Sequence, residues 1–220
     1  MATVKWSEFL GTDYITGLKL TWAGDDALTI GTGAAYLPAA SPILVSAAIS
    51  LTGMTLANST WYYLYLYNNS GTPAVEYTTT APAAPYFGTA RTKTGDTSRR
   101  YIGAFVTEAD GDICGFINSG DTILYTAARL VINNGTATTD TSIPQTGYVP
   151  STSSMSIMYW RNLATNATVT IKYSGAVLSF SMYYIDSDQS ICPSANLTYI
   201  FDAAPNAGFY AYVAGYIMER

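Results

Sequence analysis

Trp61-Tyr62-Tyr63-Leu64-Tyr65-Leu66-Tyr67, closed by Asn68-Asn69-Ser70-Gly71, is the stretch whose reading decides the fold. Aromatic side chains fit a pleated, half-buried surface better than a helix. Period-two geometry places Trp61, Tyr63, Tyr65 and Tyr67 on one face and Tyr62, Leu64 and Leu66 on the other. Both faces require cover, so the strand is predicted to be central. The polar run after it has turn chemistry, and Ala74-Val75-Glu76-Tyr77 follows as the returning partner of a hairpin.

The same signature recurs along the chain, and helical periodicity is almost absent. Arg100–Val106 and Ile113–Ile117 flank Glu108-Ala109-Asp110-Gly111-Asp112, an Asp-Gly step that predicts a second hairpin. Pro82, Pro85 and the Gly/Thr-rich stretch from Gly88 to Gly95 suit a surface loop. Ala127–Asn133, Ser156–Trp160, Thr168–Tyr173, Val177–Ile185, Leu197–Phe201 and Gly208–Met218 read as further strands, with a turn at Ser174-Gly175. In the last run, alternation sets Tyr210, Tyr212 and Tyr216 against Phe209, Val213 and Ile217. A composition shift near Thr126 divides the chain into two β-rich modules, 1–125 and 126–220. The expected fold class is all-β with antiparallel sheets, the second module a β-sandwich.

Charge is sparse. No Asp, Glu, Lys or Arg occurs between Asp26 and Glu76, and only 11% of residues are charged against 49% hydrophobic. A soluble domain carries about a quarter charged residues, so this composition points to an oligomer that buries faces between copies. A net charge of −5 with 10 basic residues gives no stripe for a phosphate backbone or an anionic membrane. Neither nucleic acid nor membrane insertion is expected as a partner. MATVKWSEFLGTDY lacks a basic flank before an apolar core, so no secretory signal is read and synthesis in the cytoplasm is expected. Cys114 and Cys192 are far apart in sequence; two buried thiols are the preferred reading, a disulfide the other.

The chain contains no histidine, which removes Ser-His-Asp and Cys-His nucleophilic catalysis and His zinc ligands. Paired carboxylates could serve glycoside hydrolysis. Of the candidates, the adjacent Asp25-Asp26 point to opposite faces of a strand, while Glu108/Asp110/Asp112 and Asp186/Asp188 sit in turn-like sequence, and turn chemistry is the reading adopted. The last two share the alternation of calcium loops without the rest of that pattern. Loop aromatics can stack on sugar rings while neighbouring amides and carboxylates meet hydroxyls. Trp160 beside Arg161 and Asn162 is one such cluster, and Tyr183-Tyr184 before Asp186 is the other. Trp160, Tyr183 and Tyr184 are therefore the ligand-binding candidates; no catalytic, cofactor or metal site is assigned.

From Leu28 to Phe116 a series of ordered pieces stands out: Leu28-Thr29-Ile30, Gly33-Ala34-Ala35-Tyr36, Leu56-Ala57-Asn58-Ser59-Thr60-Trp61, Gly71-Thr72-Pro73, Thr89-Ala90-Arg91 and Gly95-Asp96-Thr97-Ser98-Arg99-Arg100-Tyr101-Ile102-Gly103. Together they resemble a module of tail-fibre and other structural proteins of tailed bacteriophages. The resemblance implies a β-rich virion protein, commonly a homotrimer, that recognises the host or decorates the particle. It supplies no catalytic residues. On this reading 1–125 is an attachment and trimerisation module, and 126–220 faces outward toward a host glycan or protein. The rivals are a capsid decoration protein or head fibre and, more remotely, a tail-attached depolymerase.

Overall fold

A computed structural model describes residues 11–38, 42–173 and 179–220. The first ten residues of the stretch read for a signal, the Ser174-Gly175 turn and the start of the Val177–Ile185 run lie outside them. The protein is all-β, its strands paired antiparallel in several sheets, with no helix among the described residues. Two compact units are distinguished: Met1–Asp121 together with Met218–Arg220, and Thr122–Ile217. The second is thus an insertion into the first, whereas the composition shift placed the division near residue 125 and assigned the whole carboxyl-terminal stretch to the second module.

The first unit contains β1 (Ile15–Gly17), β2 (Leu20–Gly24), β3 (Ala27–Ile30), β4 (Gly33–Ala35), β5 (Ile43–Val45), β6 (Ile49–Leu51), β7 (Trp61–Asn69), β8 (Thr72–Thr78), β9 (Thr92–Lys93), β10 (Asp96–Val106) and β11 (Phe116–Ser119). They form the sheets β1-β4-β5, β2-β3-β6 and β8-β7-β10-β9, with β11 beside β2. The Trp61–Tyr67 run is central, as its two apolar faces require. On one face Tyr63, Tyr65, Tyr101 and Ala104 form a buried cluster against Trp61. On the other, Tyr62 stacks on Phe105 with ring centroids 5.4 Å apart. Fully buried Tyr65 donates its hydroxyl to the Thr80 carbonyl at 2.8 Å. Ser70 and Gly71 link β7 to β8 with φ of 51° and 95°. A two-residue loop left-handed at both positions is the type I′ turn that matches strand twist.

The Asp-Gly hairpin forms at its turn, where the Glu108 amide donates to the Asp112 carbonyl at 2.7 Å. Its second limb is short: Thr107 and Ile113 make a bridge, and strand geometry resumes only at β11. The stretch read as a loop around Pro82 and Gly95 holds the short β9. Arg100 was unremarkable as sequence, yet its side chain is wholly buried. Its guanidinium donates to the carbonyls of Tyr101 at 3.0 Å, Asp13 at 3.2 Å and Arg91 at 3.3 Å, tying two loops to β10 through one planar fork. Burial lowers its pKa from the ordinary arginine value.

The second unit contains β12 (Thr122–Gly135), β13 (Thr141–Ser142), β14 (Met155–Asn162), β15 (Val169–Tyr173), β16 (Ser179–Met182), β17 (Ile185–Pro193), β18 (Leu197–Phe201) and β19 (Phe209–Ile217). Within the unit one sheet runs β12-β19-β14-β17 and the other β13-β18-β15-β16. Eight antiparallel strands distributed between two sheets in this order are a jelly roll, two interlocked Greek keys. This is the expected sandwich, with its topology now defined. The sheets meet through Trp160, which stacks on Phe209 at 5.9 Å and meets Phe180 edge-on at 6.0 Å, and through Tyr199 against Phe209 at 5.1 Å.

Two readings of this half are corrected. Asp186-Ser187-Asp188, read as a turn, lies within β17, and the bend falls earlier, at Tyr183-Tyr184. Tyr216, expected on the face of Tyr210 and Tyr212, is buried like Phe209, Ala211 and Val213. The cause is a β-bulge: Ile157 opposes Gly215 and Met158 opposes Val213, leaving Ala214 unopposed and reversing the alternation beyond it. At Gly215 an added Cβ would lie 2.0 Å from the Ile123 carbonyl oxygen, so only glycine fits beside β12.

Thr122 and Ile217 oppose each other on β12 and β19, so the chain enters and leaves this unit at adjacent positions. Gly135 opposes Phe209 at the other end of the same pair. Both cysteines are buried and unbridged. Burial raises the Cys192 thiol pKa, and its hydrogen bond with Ser190 pulls the other way.

Candidate binding end of the jelly roll

Loops 136–140, 163–168, 183–184 and 202–208 gather at the Gly135–Phe209 end of the second unit, opposite Thr122 and Ile217. Their sequences are rich in Asn, Thr, Ala and Asp. Such residues satisfy backbone groups locally while leaving few charges. The loops brace one another. The Thr165 amide donates to Asn206 Oδ1 at 3.0 Å, and Asn206 Nδ2 donates to Thr165 Oγ1 at 2.9 Å. Asn166 completes the lattice, accepting from the Asn206 amide at 2.8 Å and donating to the Ala204 carbonyl at 3.1 Å. Below it, Asp202 Oδ1 accepts from the Thr168 amide at 2.9 Å.

Tyr183 and Tyr184 occupy the bend between β16 and β17 and are 58% and 53% exposed. The Tyr183 hydroxyl donates to the Thr165 carbonyl, fixing the corner to the Asn/Thr lattice. From beneath, buried Asn162 donates Nδ2 to the Met182 carbonyl at 3.0 Å and accepts the Ala164 amide at 3.0 Å. Tyr183 is thus held by a braced loop pair, with exposed Tyr184 beside it in the bend. Rings kept in place offer a ligand contact area that needs little further ordering.

Trp160 is corrected. It has 0% exposure, lies against Phe209 and Phe180, and donates its indole N–H to Ser190 Oγ at 2.7 Å. Strand alternation explains this: Ser156, Met158, Trp160 and Asn162 of β14 point inward, while Tyr159 and Arg161 point outward. The aromatic with a polar neighbour is a core residue and Asn162 is its brace. What sequence reasoning missed lies on the opposite face. Leu130, Tyr212, Tyr159 and Gln189 oppose one another in a row across all four strands, with Tyr159 and Tyr212 in edge contact at 5.4 Å. Once Trp160 is known to be buried, period-two geometry sends its neighbours Tyr159 and Arg161 outward.

The acidic candidates hold structural positions. Arg161 Nε meets Asp186 Oδ1 at 2.7 Å, raising the arginine pKa. Asp188 Oδ1 accepts the neighbouring Gln189 amide at 2.8 Å. In the first unit, Asp110 Oδ1 accepts the Asp112 amide at 3.2 Å within the turn. Desolvation and the nearby Asp110, Asp25, Asp26 and Glu108 raise the Asp112 pKa. Among the described residues no group of three or more His, Cys, Asp or Glu side chains is arranged to hold a metal ion.

Comparison of the chain with protein-family models, with curated proteins and with solved structures finds no match.

Proposed function

We propose that this chain is a structural protein of a bacteriophage virion, a tail-fibre or receptor-binding subunit that attaches the particle to its host by non-covalent binding and works as a homotrimer. The observation that carries the reading is the loop end of the jelly roll. Four loops meet opposite the chain connections and display Tyr183 and Tyr184 on a braced corner. Jelly rolls recur in capsid and lectin domains, although a fold alone does not assign a function. The ordered sequence pieces that resemble phage fibre modules fall on the first unit, consistent with an attachment role for it. Work is assigned to binding rather than catalysis, because Asp186 and Asp110 are engaged in an ion pair and a turn.

A second reading, a capsid decoration protein or head fibre, is favoured by the exposed apolar residues of the first unit. Leu44 is 68% and Ile117 63% exposed, and side chains so placed suit a protein partner. The test uses the purified full chain and its Tyr183→Ala/Tyr184→Ala variant against a panel of bacterial cells and against capsids stripped of surface proteins. Adsorption to cells that the variant loses is the expected result. Binding to stripped capsids alone, unchanged in the variant, would transfer the protein to the decoration class.

A further inference from the structure

The second unit carries three basic side chains, Arg129, Arg161 and Lys172, and four acidic ones, Asp140, Asp186, Asp188 and Asp202. Every cation is engaged. Arg161 is paired with Asp186 at 2.7 Å, and Lys172 with Asp140 at 2.9 Å. Arg129 lies over the rings of Tyr125 and Tyr148, 5.5 and 5.9 Å from their centroids. That leaves Asp188 and Asp202, each accepting a neutral backbone N–H in the bonds described above, as the carboxylates without a cationic partner among the described residues, against Arg129 as the cation held over tyrosine rings. Asp202 belongs to the loop lattice itself, and Asp188 lies on the strand that begins at the tyrosine corner.

A ligand arriving at Tyr183 and Tyr184 therefore meets aromatic faces, amides, hydroxyls and a local excess of carboxylate. Aromatic faces suit the C–H face of a pyranose ring, and Asn, Thr and Asp oxygens accept hydrogen bonds from its hydroxyls. A carboxylate or phosphate on that ligand would find Arg161 and Lys172 already in ion pairs, and Arg129 placed opposite Val213, short of the Gly135–Phe209 end.

We infer that the ligand bound at the Tyr183–Tyr184 end is an uncharged saccharide, not a uronic-acid, sialylated or phosphorylated one; the inference rests on the attachment reading above. Carboxylates at a solvated site disfavour an acidic sugar, and the preference for a neutral one weakens as salt rises.

The test applies the full chain to an array of neutral hexose and N-acetylhexosamine oligomers, beside oligomers of matched length bearing uronic acid, sialic acid or phosphate. Tyr184→Ala and Tyr184→Phe are run in parallel, each with a thermal melt, together with adsorption to the bacterial panel. Retention of a neutral oligomer, unaffected by salt, lost in Tyr184→Ala and kept in Tyr184→Phe, supports the inference. Preferential retention of an acidic oligomer overturns it and leaves the attachment reading standing. So does adsorption to cells that depends on Tyr184 with no saccharide retained. Absence of adsorption to any cell would overturn the attachment reading, and the inference with it.

Discussion

Tyr65 shows how a single buried side chain couples the first unit to pH. Desolvation, followed by the neighbouring Tyr101, Tyr63 and Glu76, raises its pKa above the ordinary value of 10.0. A phenol carries charge only when deprotonated, so above pH 10 the unfolded chain gives up this proton while the folded one keeps it. Stability from this group is complete below about pH 10 and falls by up to about 1.4 kcal/mol for each pH unit above it. Tyr65→Phe forfeits the bond to the Thr80 carbonyl, a cost of about 1 kcal/mol at pH 8. That deficit is expected to shrink or reverse by pH 11 in urea titrations, and a constant deficit would exclude the coupling. Trp160 supplies the complementary case. Its truncation to Ala should destabilise the second unit by about 3–5 kcal/mol, read as a lowered urea midpoint. At this scale the sequence disclosed which residues are aromatic and where polar neighbours lie. It did not disclose which side of a strand a lone Trp takes, because both phases of β14 offer large side chains.

Elements were more legible, and the failures have local causes. The β7 strand, its turn and the returning β8 follow from an aromatic run and Ser-Gly chemistry, since turn type and strand period are short-range properties. The bulge at Ala214 was hidden, because nothing in a run of alternating residues marks the position where the partner strand omits one. β17 was missed for a related reason: Asp186-Ser187-Asp188 is turn-like in composition but sits on an edge strand, where charged residues protect against unwanted pairing. Two substitutions test these elements. Ser70→Asn should raise stability by about 0.5 kcal/mol, because Asn tolerates the left-handed conformation that Ser70 adopts at φ 51°. Gly215→Ala should cost about 3 kcal/mol or more by pushing β19 away from the Ile123 carbonyl. Urea midpoints of the purified variants read both signs.

At the scale of the whole molecule, all-β architecture was legible because turns and strand periods repeat along the entire chain. The jelly-roll order was not, because pairing β12 with β19 joins residues separated by the whole unit. Sparse charge is the feature from which a homotrimer is proposed. Light scattering on the purified chain should give three times the monomer mass of 23.6 kDa, and a monodisperse species at 23.6 kDa would dismiss the shared-interface argument. The meeting of Thr122 and Ile217 on adjacent strands has a consequence for heredity. Paired strand residues lie about 5 Å apart, so a recombination that exchanges the intervening segment leaves two ends that a short turn can rejoin. The jelly roll can then be inherited as a cassette, diversifying at its own pace while its frame stays constant.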